Sequence, residues 1–424
     1  MALDSATQDA SIQAAPKDAL KDVLTRTFSS LRHRNFRLLW IGSIATQVGY
    51  WMFNLAQGWL ALQLTNSEFW LGMVGFASGI PMLVLSLVGG ELADRYNRRT
   101  LMLTYQVISM ICITVFAALV TLQLVQLWHV LLIAFLFGSI MSLNIPLRQA
   151  LLPDLVERDD LTNAVALQSV GWNAMRVVGP ALAGVLIAYV GMEGIFWLMV
   201  AGYVWTMIMV FQMHIPNKAN AMRARHPLHN MFDGLQYIWG RKDILILMIS
   251  LSVPTLFAMP YLQLMPVFAR DILHVGAQGL GVLSSAVGAG ALVTALAVAA
   301  MRDTHHKGRW LIIASTLFGV AVAAFGLSPS YPLSIVLLAA TGVCFSVMQA
   351  FNSVLIQTLT PDEYRGRVFS VYALTWGLQP LGNLAVGWLA EAISAPWAVF
   401  IGGVVSIIGM GLLVWRSRRL WEMD

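Results

Sequence analysis

Twelve apolar stretches fill the chain, each long enough to cross a bilayer: 36–62, 69–92, 100–124, 127–152, 161–190, 194–214, 243–270, 276–301, 309–327, 332–358, 367–392 and 396–415. A helix needs about 20 such residues to span the hydrocarbon. The stretches have helix length and abundant Gly and Ala, not the roughly ten-residue alternation of a barrel strand. They predict an all-α membrane protein with twelve transmembrane helices. Composition agrees, with 58% hydrophobic and only 11% charged residues. A soluble domain carries about 25% charged residues, so most of this surface must face lipid.

Charge gives the spans a direction. With the N-terminus inside, Arg270 alone of the 26 Lys and Arg falls in an outer link, and Arg176 alone falls mid-membrane. The remaining 24 lie in cytoplasmic links, tails or helix ends. Shifting the topology by one span would put that set outside, against the positive-inside rule. The expected location is a bacterial plasma (inner) membrane, with both termini cytoplasmic. The net charge of +5 is not gathered on one soluble face, so nucleic acid is not an expected partner. Cys112 and Cys344 lie inside apolar runs and read as packed thiols. The scattered His residues show no metal spacing. No secretory signal is expected from residues 1–30, which carry Asp4, Asp9, Asp18 and Asp22. Leu20, Val23, Leu24, Phe28 and Leu31 recur at helical spacing and suggest an amphipathic helix before the first span.

The link between the second and third spans is short and basic: Gly90-Glu91-Leu92-Ala93-Asp94-Arg95-Tyr96-Asn97-Arg98-Arg99. It resembles the signature loop of the major facilitator superfamily at Gly90, Leu92, Asp94, Arg95, Arg98 and Arg99. Asn97 stands where that signature has Gly, and is expected to serve as a residue that tolerates a positive φ. The chain also repeats at about half its length. Asp94 answers to Asp303, and Asn144, Gln149 and Pro153 answer to Asn352, Gln357 and Pro361. Gly184 answers to Gly387. Ordered matches in equivalent places imply two pseudo-symmetric six-helix bundles. The expected division is a tail at 1–33, a bundle at 34–214, a linker at 215–242, a bundle at 243–415 and a tail at 416–424. Within the linker, Leu228, Met231, Phe232, Leu235, Ile238 and Trp239 predict a second surface helix.

Arg148-Gln149-Ala150-Leu151-Leu152-Pro153-Asp154 and the residues after it resemble a drug and siderophore efflux branch that includes enterobactin exporters and macrolide efflux proteins. Gly179-Pro180-Ala181-Leu182-Ala183-Gly184 resembles the antiporter kink signature Gly-Pro-x-x-Gly-Gly. Ala183 replaces a Gly, and Met175 stands where a further Gly is usual. The resemblance implies a secondary active exporter working by alternating access and coupled to protons, with Asp94 and Arg98 holding an inner gate.

Charge within the bilayer is costly, so Arg176 should face a cavity. The alternative is an Arg bridging helix carbonyls. Arg148 either faces the cavity too or snorkels to the interface. Uncharged polar residues extend the candidate substrate cavity: Gln47, Asn54, Gln57, Asn144 and Asn173 in the first half, and Gln349, Asn352, Trp376, Gln379 and Asn383 in the second. Amides with aromatics suit an amphipathic solute such as a drug, macrolide or siderophore-like molecule. Each amide can instead be an interhelical bond. No carboxylate falls clearly mid-membrane, so the coupling residue is unassigned. Glu91 is assigned to the loop, and Arg270–Asp271 to a weak surface pair. No phosphate-binding Gly-rich loop, metalloprotease motif or catalytic Cys/His pairing occurs, so neither an enzyme, an ATP-driven pump, a cofactor nor a metal is expected. A monomer is expected. An importer, or a receptor on the same fold, is the alternative.

Overall fold

The computed structural model describes residues 28–214, 227–300, 305–417 and 419–423, without the side chains at 86, 87, 90, 93, 94, 227–232 and 298–300. Most of the expected N-terminal amphipathic helix, linker residues 215–226 and Asp303 therefore lie outside the described residues. After one 3₁₀ turn, Ser29–Arg32, the chain is helical almost throughout. The first helices are α1 (Arg34–Thr65), α2 (Glu68–Arg95), α3 (Arg98–Thr121), α4 (Leu127–Leu155) and α5 (Leu161–Phe211). A linker helix α6 (Pro227–Gly240) follows, then α7 (Lys242–Val253), α8 (Tyr261–Val267), α9 (Gly276–Ala300) and α10 (Lys307–Gly326). The chain ends with α11 (Tyr331–Leu359), α12 (Asp362–Trp376), α13 (Gln379–Ile393), α14 (Ala395–Arg416) and the short α15 (Arg419–Glu422).

Each expected segment lies in helix among the described residues, but three boundaries differ. The fifth and sixth segments share α5, broken only at Gly191, whose φ of 70° and ψ of −177° suit glycine. Space around the small residues shows that the chain reverses there. Gly171 and Gly179 approach Trp40 and Trp51, while Met209 and Met199 approach Gly42 and Gly49. The first part of α5 thus runs parallel to α1 and the second antiparallel. The seventh segment is α7 and α8 joined through a π-type turn at Pro254–Ala258 and extended by a second at Phe268–Ile272, where Pro254, Pro260 and Pro266 interrupt regular pairing. The eleventh divides at Gly377, between α12 and α13.

Helices α1–α5 pack as one bundle and α7–α14 as another. Large apolar side chains cover the outside, among them Val84, Val293, Val336 and Trp388. Lipid tails are as apolar as these side chains, so helices are held by close fit rather than by a hydrophobic drive. The two bundles meet along α2–α13 and α5–α9. A Cβ on Gly72 would lie 2.5 Å from the Asn383 carbonyl oxygen, and one on Gly281 2.6 Å from that of Pro180. Gly184 and Gly387, equated by the repeat, occupy matching places in the two seams, against Gly281 and Gly72.

Both seams lie toward one end, where polar latches join the bundles. Glu391 accepts from the Ser67 hydroxyl at 2.8 Å and the Phe69 N–H at 3.1 Å, at the start of α2. Arg270 donates to the Leu62 carbonyl at 3.1 Å and to Asn66 Oδ1 at 2.8 Å, while also gripping Asp271. Expected as a surface pair, Arg270–Asp271 is thus anchored across the bundles, because Arg has donors to spare once Asp271 is satisfied. At the other end α6 docks on α12, with Tyr237 stacked on Tyr364 at 4.2 Å and Asp233 3.3 Å from Arg367. The turn before α1 is pinned to the α4–α5 link, where Asp160 takes Ser29, Arg32 and His33 at 2.7, 2.8 and 2.7 Å.

Within the first bundle Gly138 faces the Ser78 backbone so closely that no Cβ fits, whereas Gly366 in α12 has open space. Gly138→Ala should therefore cost about 1–3 kcal/mol through overpacking. Gly366→Ala should leave stability unchanged or raised, as a helix-interior Gly replaced by a better helix former. Thermal unfolding of the two variants in detergent checks this; equal melting points would contradict it.

Candidate functional site

A cavity of about 1040 Å³ lies between the bundles. Helix periodicity builds it: residues three, four or seven apart share a face. On α1 that face presents Gln47, Tyr50, Trp51, Asn54 and Gln57. Asn144 and Arg148 project from α4, and Gln168, Trp172, Asn173, Arg176 and Pro180 from α5. The opposite wall takes Gln263 and Met265 from α8, Gln349 from α11, and Trp376, Gln379 and Asn383 from the α12–α13 corner.

Asn352 alone of the candidate cavity residues is absent from the lining. It is fully buried, and its amide donates to the Leu247 carbonyl at 2.8 Å and to Ser250 Oγ at 2.9 Å on α7. Three residues beyond Gln349 it is about 60° off that residue's face, enough to point at a neighbour instead. The repeat equated Asn352 with Asn144, yet only Asn144 lines the cavity. In the kink stretch Pro180 lines the cavity, Gly184 lies in the α5–α9 seam, and Gly179 fits against Trp51 of α1.

The lining amides are incompletely satisfied. Asn54 and Asn173 donate to carbonyls of their own helices, Tyr50 at 2.8 Å and Ser169 at 2.9 Å. The buried acceptors of Gln47, Gln57, Asn144, Gln168 and Asn383 bond to no protein group among the described residues. Among the described residues Arg176 bridges no carbonyls; its guanidinium lies 5.6 Å from the Trp51 ring centre. Trp51, Tyr50 and Trp172 form one ring cluster with centres 5.4–5.6 Å apart. A cation–π contact of this kind contributes about 0.5–2 kcal/mol. Arg148 does not snorkel, since its Nε and Nη2 are buried. No Asp or Glu is among the described lining residues.

Tyr50, Trp172, Gln263 and Met265 were not singled out from sequence. Helical spacing around Arg176 carried a signal for Trp172, one turn before it. Nothing in the apolar, proline-rich 254–268 run marked Gln263, whose amide crosses the bundles to the Leu71 carbonyl at 2.7 Å.

The α2–α3 link behaves as a staple. Arg98 donates to the Ala150 carbonyl and to Asp154 at 2.6 Å each, tying the link to the C-terminal end of α4. Arg95 pairs with Glu91 at 2.6 Å, one turn earlier. Arg99 reaches the Phe211 carbonyl and lies 5.7 Å from its ring centre. Asn97 does not take a positive φ: at −60° it is the N-cap of α3, accepting from the N–H groups of Arg99 at 3.0 Å and Thr100 at 3.2 Å. Asn caps well because its side-chain oxygen satisfies otherwise orphaned helix donors. Gly90 and Asp94 are helical in backbone, and their side-chain positions lie outside the described residues.

Comparison with known proteins settles the family. A family model described as Transmembrane secretion effector matches residues 25–424. The chain belongs to this family of the major facilitator superfamily. It is similar to the staphyloferrin A transporter of Staphylococcus aureus, at 24% identity over 88% of this chain and 94% of that one. The multidrug efflux pump Tap of Mycolicibacterium fortuitum is 24% identical over 91% and 96% of the two chains, and the enterobactin exporter EntS of Citrobacter koseri 25% identical over 90% of each. A solved mutant form of the nucleoside transporter NupG superposes with a TM-score of 0.71 at 14% identity, over 90% of this chain and 99% of that one. This likeness shows the facilitator fold. In a transmembrane secretion effector of that fold, the bundle-to-bundle cavity is the space a solute can occupy.

Cysteine labelling reads the cavity wall directly. In a background of Cys112→Ala and Cys344→Ala, Asn173→Cys, Gln349→Cys and Trp376→Cys should react with a small hydrophilic thiol reagent at least about tenfold faster than Asn352→Cys, because only an accessible thiolate reacts. Equal rates at positions 349 and 352 would show the wall to be drawn wrongly.

Proposed function

We propose that the protein is a secondary active exporter that moves an amphipathic small molecule out of the cell by alternating access. It works as a monomer, without ATP, and protons supply the driving gradient. Both termini are cytoplasmic in a bacterial plasma membrane, which puts the Glu391–Arg270 end outside and the Arg98–Asp154 end inside. One observation carries the reading: a cavity lined by both aromatics and amides lies between two bundles that polar latches join at the Glu391–Arg270 end. Its lining reaches Gln149, Leu152 and Val165, away from the latches. With that topology the form described is closed outside.

The relatives named as an efflux pump and an exporter support the outward direction. So does the Gly179–Pro180–Gly184 stretch, where Pro180, inside α5, has no backbone N–H to donate between the cavity and the seam with α9. Arg98, Arg95 and Arg99 hold the α2–α3 link as the inner gate. Since no carboxylate is among the described lining residues, the proton carrier lies away from the solute or on a group such as Asp94.

Cells lacking the protein should accumulate more labelled siderophore, macrolide or dye than cells expressing it, and collapse of the proton gradient should abolish the difference. No excess of any of these solutes in the deficient cells would defeat the efflux reading, and a reversed difference would make the protein an importer. Asp94→Asn should insert normally and transport less; full transport by this variant removes the gate role.

A further inference from the structure

The cavity has one charged wall and one neutral wall. Arg148 and Arg176 both line it from the first bundle, with no Asp or Glu among the described lining residues to offset them. The second bundle supplies neutral groups there, including Met265, Phe345, Gln349 and Trp376. The two arginines are not equivalent. Arg176 rests on Trp51. Arg148 has two buried nitrogens, Nε and Nη2, that bond to no protein group among the described residues.

A recess of about 20 Å³ adjoins Arg148, bordered also by Gln47, Gln106 and Asn144. That volume suits about one water molecule. Water can accept from one guanidinium donor, but it brings no negative charge. A buried cation without a counter-charge is costly, and a planar guanidinium fork matches an oxyanion better than any other group. We infer that the solute is an amphipathic organic anion, whose carboxylate or similar oxyanion seats on Arg148 while its apolar or aromatic body lies against Tyr50, Trp51 and Trp172. Arg176 adds attraction at longer range. Amphipathic cations are disfavoured, because they meet like charge with no acid to balance it. This rests on the export reading for the claim that the occupant is cargo.

The test uses the full-length protein in lipid nanodiscs, with three probes that share one ring system: naphthylacetate, naphthylacetamide and naphthylethylamine. Calorimetric titration, corrected with empty nanodiscs, measures each affinity. The anion should bind at least about tenfold tighter than the amide, and the amine most weakly. Arg148→Gln should lower the anion's affinity to that of the amide and leave the amide's unchanged, which also shows that the variant is folded. Arg148→Lys should keep most of the preference. Equal binding of the three probes, preference for the amine, no binding of the anion, or an anion preference that survives Arg148→Gln would each overturn the inference. Uptake of the same probes by everted membrane vesicles separates the two claims. Binding of the anion with movement of none of the probes would refute export and keep the anion site. Preferential movement of the amine or amide would refute the anion site and keep export.

Discussion

Hydrocarbon offers peptide groups no partner, so each N–H and C=O placed there has to bond within the protein. That requirement makes the chain helical and governs where its polar side chains go. Thr114, Ser139 and Thr316 turn back onto carbonyls of the preceding turn, at 2.7, 2.8 and 2.9 Å. A few reach across helices, as Thr206 does to the Gly42 carbonyl at 2.7 Å and Ser285 to that of Val177 at 2.7 Å. Among the described residues, the amides of Gln47, Gln57, Asn144, Gln168 and Asn383 have acceptors left over and line the central cavity, while those of Gln106 and Asn352 lie outside its lining. The satisfaction rule is relaxed at the cavity wall, though not there alone, and a binding surface requires such groups.

Close approach does for the bundles what hydrophobicity does for a soluble core. The α2–α13 and α5–α9 seams are tight because glycines let backbones touch, and two such seams related by the repeat form a symmetric hinge line. The polar latches that accompany them are hydrogen bonds of the exposed Glu391 and the half-buried Arg270, and a hydrogen bond to a charged group contributes about 1.5–3 kcal/mol at most. A closure made of modest latches, close backbones and single hydrogen bonds such as Ser285 and Gln263 make across the bundles can open by breaking small interactions one at a time. The first bundle's own seams, such as Gly138 against Ser78, lie among continuous helices and have no comparable release.

The architecture was legible because it depends on counts and spacing: apolar length fixes spans, and an offset of about 208 residues exposes the repeat. Details set by one backbone angle or one neighbour were not. Asn97 offered two physical options, a positive φ or an N-cap, and the adjoining helix start selected the cap. Gly191 reverses the chain without any run of turn formers to mark it. Gln349 and Asn352 differ by 60° around one helix, which sequence places on the same broad face. Eleven of the twelve candidate residues nevertheless line the cavity, found by asking which polar residues an apolar span could not otherwise explain. The aromatics of the wall escaped that question, because Tyr50 and Trp172 are at home in lipid as well.

The placement of charge bears on how the cycle could be driven. If the proposed anion site holds, closing an empty cavity leaves the Arg148 guanidinium, two of whose nitrogens are already buried without a partner among the described residues, as a bare charge in a low-dielectric space. With an oxyanion seated there, the same closure surrounds a hydrogen-bonded pair. Occlusion is therefore favoured in the loaded state by the difference between those two costs, and a ligand can shift such an equilibrium only through a difference of this kind. A neutral or cationic occupant lacks that lever, however well its body fits the rings of Tyr50, Trp51 and Trp172. On that proposal, the same group that makes the empty cavity costly would give an anionic cargo its means of favouring closure around itself.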